Sequence, residues 1–75
     1  MTHYGIGLRL HFIDVMLQHY GTLNRVALMD YFGISTPQAS NDIKVYLGRC
    51  PGNMVYDKSL KTYTVCSTFK AGQWR

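Results

Sequence analysis

Residues 35–44 read Ser-Thr-Pro-Gln-Ala-Ser-Asn-Asp-Ile-Lys, which sets short hydroxyls and amides at helical spacing around the apolar positions Ala39 and Ile43. With Ala39, Ile43 and Leu47 turned inward, Thr36, Pro37, Ser40, Asn41 and Lys44 point outward, and Gln38 lies at the flank of the first turn. Such side chains suit the edges of base pairs. Gln38 and Asn41 can each bond an adenine edge at two points, Thr36 can meet a thymine methyl or a base acceptor, and Lys44 suits guanine or phosphate. No acidic residue falls on this outward stripe. Asp42 lies between the stripes, where it is expected to pair with a nearby cation or cap a backbone group. A plain solvated helix face would also carry Ser, Thr, Gln and Asn, so the elements around this run decide its meaning.

The first periodic segment covers residues 8–20, with Leu8, Phe12, Ile13, Met16, Leu17 and Tyr20 as one apolar stripe and Arg9, Asp14, Gln18 and His19 on the other side. Gly21 ends it, and Thr22 and Leu23 read as a connector. Asn24 is an N-cap for a short second helix carrying Val26, Leu28, Met29 and Phe32 up to Gly33. Gly33, Ile34 and Ser35 make a tight turn into a third helix, in which Ser35 and Gln38 have capping-box spacing and Pro37 sits in the first turn. Its buried side is marked by Ala39, Ile43, Tyr46 and Leu47, and Pro51 and Gly52 stop it. The period then changes to two runs rich in Val, Tyr and Thr, residues 53–57 and 61–65, joined by Lys58, Ser59 and Leu60. They predict a β-hairpin with Tyr56 and Tyr63 as cross-strand neighbours.

Two short helices joined by a Gly-containing turn and followed by a strand pair describe an α+β winged helix-turn-helix: three helices, then a two-stranded β-hairpin wing. In such a module the N-terminal residues of the second helix of the pair meet base edges, here from Ser35 to Lys44. The wing loop adds Lys58, Ser59 and Lys61, and Asn24 with Arg25 opens the second helix, so these five are the expected phosphate contacts.

Charge placement agrees with this reading. Residues 1–34 are balanced, whereas the entire excess of +4 belongs to residues 35–75, which hold the reading helix, the wing and the tail. A basic half on a small module points to a polyanion, double-stranded DNA before a membrane surface. Seventy-five residues allow one domain, with a core over about residues 8–66 and a tail over 67–75 that carries Phe69 and Trp74. No stretch approaches the ~20 apolar residues that cross a bilayer, and no signal peptide leads the chain, so a cytoplasmic protein is expected. Cys50 and Cys66 fit neither a zinc pair nor a secreted disulfide framework and are read as reduced.

Other chemistries are poorly supplied. His3, His11 and His19 repeat every eight residues, which on a helix turns the direction by about 80° and does not form a two-histidine metal clamp. Gly5 and Gly7 lack the rest of a nucleotide-binding loop, and four aspartates without a glutamate offer little acid-base machinery. No catalytic residue, metal or cofactor is expected.

The run Tyr-Phe-Gly-Ile-Ser-Thr-Pro-Gln-Ala-Ser-Asn-Asp-Ile at residues 31–43, followed by Pro-Gly-Asn-Met-Val-Tyr-Asp at 51–57 and Lys-Thr-Tyr at 61–63, resembles the N-terminal winged helix-turn-helix of WYL-domain transcriptional regulators. The subgroup associated with bacterial anti-phage defence islands is the most similar. The resemblance implies a homodimer that binds an inverted repeat and represses transcription. It makes Ser35, Thr36, Pro37, Gln38, Ser40 and Asn41 the groove-facing start of the reading helix, with Lys58 and Lys61 on the wing. The ligand-sensing WYL domain has no counterpart in these residues, so no small-molecule ligand is expected and the family's dimer contacts do not carry over. The dimer is instead expected through the first helix and the tail, with Phe69 and Trp74 as candidates. The rival reading is a winged helix that binds protein, or one that competes with a larger regulator for its operator.

Overall fold

The computed structural model describes residues 5–75. The helices are α1 (Gly5–Tyr20), α2 (Arg25–Phe32) and α3 (Thr36–Arg49); the strands are β1 (Thr22–Leu23), β2 (Met54–Asp57) and β3 (Thr62–Val65). The three strands form one antiparallel sheet in the order β1-β3-β2. The expected hairpin is present in register, with Tyr56 opposite Tyr63 and the two rings edge to face at 5.0 Å. The connector at Thr22 and Leu23 is a third strand, not a plain link. Gly21 turns out of α1 at φ 75°, its carbonyl accepts from the Val65 N–H, and the Leu23 carbonyl accepts from the Thr62 hydroxyl at 2.8 Å. Two residues carry no periodicity, so only these partners across the chain define the strand.

Leu10, Ile13, Leu17, Leu23, Leu28, Ala39, Ile43, Tyr46, Cys50 and Met54 form the buried core. On α1 the apolar stripe is rotated from the one the sequence suggests. Leu8 and Tyr20 are exposed, and the buried line is Leu10, Ile13, Asp14 and Leu17. Asp14 is inside because it accepts twice, from the Tyr46 hydroxyl at 2.6 Å and from the Gly72 N–H at 2.7 Å. Asn53, fully buried, donates to the Tyr46 oxygen and to the Lys70 carbonyl and accepts from the Lys70 N–H. This polar chain fastens the tail to α1 and α3, as does the Arg49 guanidinium donating to the Trp74 carbonyl at 3.1 Å.

Cys50 caps α3 and is fully buried, Cys66 is half-buried, and both are free thiols. Burial pushes the Cys50 thiol above its ordinary range, the nearby Asp14 charge adds to this, and Arg49 opposes it. Native protein should therefore show one fast-reacting thiol, Cys66, towards an aromatic disulfide reagent, with Cys50 reacting only when the chain opens. Equal native rates at both sites would contradict this placement.

Candidate nucleic-acid interface

Helix α2 starts at Asn24, whose Oδ1 accepts from the Ala27 N–H at 2.9 Å, and ends at Gly33, whose φ of 66° is the left-handed turn that favours glycine. Helix α3 starts two residues later. Ser35 caps it, its Oγ accepting from the Gln38 N–H at 3.3 Å, and Pro37 occupies the first turn. The capping box forms only by half. The Gln38 side chain turns away from the cap and donates from Nε2 to Asp42 Oδ1 at 3.0 Å.

The first half of α3 thus has a defined outer face. Ser35, Thr36, Pro37, Asn41 and Lys44 are exposed, and Gln38 and Ser40 are half-buried beside them. Asp42, the one acid of α3, is fully buried beneath the half-buried Arg9 of α1. The Arg9 Nε donates to Asp42 Oδ2 at 2.5 Å and its Nη2 to Oδ1 at 3.2 Å. The negative charge is therefore taken off the outer face and neutralised inside. Sequence pattern placed Arg9 on the outer side of α1; its partner lies 33 positions away, so nothing local points to the pair.

Arg25 reaches from the start of α2 to α3, where its Nη1 donates to the Ser40 Oγ at 3.2 Å. Between the α2 N-terminus, α3 and the hairpin lies a groove of about 360 Å3. Asn24, Arg25, Ser40 and Lys61 line it together with Tyr56 and Tyr63. The structure thus gathers three of the five expected phosphate contacts, Asn24, Arg25 and Lys61, around one concave surface. Tyr56 and Val26, which the sequence sets on the hairpin and in the apolar series of the second helix, share its wall.

The other two, Lys58 and Ser59, are exposed at the hairpin tip. The tip spans residues 58–61, one more than the sequence suggests. Asp57 Oδ1 accepts from the N–H groups of Ser59 and Leu60, and Lys61 takes a φ of 56°. Phe69 and Trp74 are half-buried and pack on the core of their own chain, with Trp74 set 6.0 Å from the ring of His11. His11 and His19 are exposed, and His3 lies outside the described residues. Among the described residues no three His, Cys, Asp or Glu side chains gather as a metal site would require.

The family model of the BrxR transcriptional regulator winged helix-turn-helix domain matches residues 5–73. The chain belongs to this family. It is 45% identical over 69 residues to the DNA-binding transcriptional repressor CapW of Stenotrophomonas maltophilia, and 44% over 70 residues to that of Pseudomonas aeruginosa. To the CapW repressor of Escherichia coli strain KTE188 it is 43% identical over 69 residues. These matches cover 92–93% of the chain and 23% of each relative, so the chain spans about a quarter of the length of the curated relatives it matches. The family agrees with the resemblance carried by residues 31–43, and its fold is the winged helix expected from the element order.

Proposed function

We propose that this chain is the DNA-reading domain of a transcriptional repressor of the bacterial cytoplasm, with α3 in the major groove and the α2 N-terminus and hairpin on the flanking backbone. The observation that carries this is the outer face of α3, where exposed Thr36, Asn41 and Lys44 stand beside half-buried Gln38 and Ser40 with the helix's one carboxylate withdrawn beneath Arg9. Asn41 and Gln38 take adenine edges, Thr36 a thymine methyl or an acceptor, and Lys44 guanine or phosphate. Ser35, Pro37 and Ser40 let the helix approach closely. Asn24, Arg25, Lys58, Ser59 and Lys61 hold the phosphates. The relatives' names as DNA-binding repressors support the same reading. A homodimer on an inverted repeat, with half-sites about one helical turn apart, completes it. Sedimentation with DNA at tens of micromolar should show two chains per duplex, and only one would remove that part.

Each phosphate neutralised by a cation contributes about −0.9 to the slope of log K against log salt, so Arg25, Lys58 and Lys61, with Lys44 as a fourth, give roughly −3 to −4 per protomer. Lys61 offers a sharp test because its left-handed φ is strained for any side chain. Lys61→Gly removes that strain together with the charge. It should unfold no more easily than the native chain while binding DNA more weakly and with a slope shallower by about 1. An unchanged slope would remove Lys61 from the backbone contacts. A native slope near zero on any duplex would defeat the DNA reading as a whole.

A further inference from the structure

The base-reading amide nearest the start of α3 is not free to turn. Gln38 Nε2 donates to Asp42 Oδ1, and Asp42 is fully buried and gripped through both oxygens by Arg9. A carboxylate only accepts, so the edge of the amide facing Asp42 must be its NH2. One N–H is used inward, which leaves the Oε1 and the second N–H for whatever approaches the half-buried side chain. An acceptor beside a donor matches the N6 amino group and N7 of adenine. Guanine presents two acceptors there, O6 and N7, and would need two donors.

We propose that the Arg9–Asp42 pair fixes the polarity of the Gln38 amide, so that the domain selects adenine over guanine at one base pair. Arg9 and Asp42 act here as positioning residues, and the inference rests on the DNA-reading function proposed above. It makes an unusual demand on Asp42→Asn. Either orientation of an asparagine sets its NH2 against one Arg9 donor. The conflict is milder with Nη2, 3.2 Å from Oδ1, than with Nε, 2.5 Å from Oδ2, so the oxygen turns to Nε and the NH2 to Gln38. Facing a donor, the Gln38 amide flips, offers its NH2 outward, and now suits guanine.

The test starts from duplexes recovered by the native chain from a random pool. A position whose preference disappears in Gln38→Ala is the one this residue reads. There the native chain should favour adenine over guanine by about tenfold, and folded Asp42→Asn should reverse the preference while the rest of the site is unchanged. Two base analogues need no change to the fold. Purine, which lacks the 6-amino group, and 7-deazaadenine, which lacks N7, should each weaken native binding by about tenfold and leave Gln38→Ala unaffected. The inference is overturned if the native chain favours guanine there, if purine binds as well as adenine, or if folded Asp42→Asn keeps the adenine preference. A site that Gln38→Ala leaves unchanged also overturns it. Failure to recover any site would instead overturn the underlying DNA reading.

Discussion

Asn41→Ala should bind its selected duplex about 5- to 150-fold more weakly than the native chain, with an unfolding midpoint no lower. Asn41 is exposed on α3, and its side chain makes no hydrogen bond among the described residues, so the fold does not depend on it. A bidentate amide contact to adenine contributes about 1–3 kcal/mol of discrimination, which is the stated range in affinity. Affinity for unrelated duplex should hardly change, because that part comes from phosphates. Gln38→Ala differs in kind, since it also takes a partner from buried Asp42 and so lowers stability along with affinity. Titration of labelled duplexes beside thermal unfolding separates the two. An Asn41→Ala protein with full affinity would move the reading surface off this helix face.

The largest effect on stability is expected at Asp14. Asp14→Ala leaves the buried Tyr46 hydroxyl without its acceptor and strands the Gly72 N–H, each worth about 1–3 kcal/mol. A module of this size holds only about 3–5 kcal/mol in total, so the variant should melt at least 10 °C lower, and its tail should be cut first by proteases. A change of about a degree would show that the polar chain contributes nothing net. The same site gives a pH dependence. Burial pushes the Tyr46 hydroxyl well above its ordinary value, and the hydrogen bond and charge of Asp14 add to this, although Asn53 donates in the opposite sense. An acid whose folded pKa is raised keeps its proton while the unfolded chain loses it, so stability falls as pH rises past the ordinary tyrosine value of about 10. Tyr46→Phe should be less stable at neutral pH and show a shallower alkaline loss, measured by denaturant unfolding at several pH values.

The reading helix was the most legible part of the chain. Ser35, Pro37 and the preceding Gly33 are local signals, each acting within one turn of its own position, and they place the start of α3 correctly. The Tyr56–Tyr63 pair was equally readable, because period-two runs joined by a short loop have few alternative registers. What the sequence hid were polar groups whose partners are remote. Arg9 and Asp14 look like surface residues on a helical wheel, yet their partners lie 33 positions away at Asp42 and 32 and 58 positions away at Tyr46 and Gly72. Hydrophobic periodicity assigns a charge outward unless something inside satisfies it, and that something is visible only once the chain is folded. The tether on Gln38 runs to a residue only four positions on, but what holds Asp42 there is the remote Arg9, and β1 likewise is defined only by its pairing with β3.

The most direct measurement on the central claim is selection of duplexes from a random pool at about 0.15 M salt, followed by hydroxyl-radical and methylation footprints of the recovered sequence. A reading α3 predicts one enriched motif, guanine N7 protection in the major groove of each half-site, and loss of part of that motif in Asn41→Ala. Binding without enrichment of any sequence, or no binding at all, would contradict it.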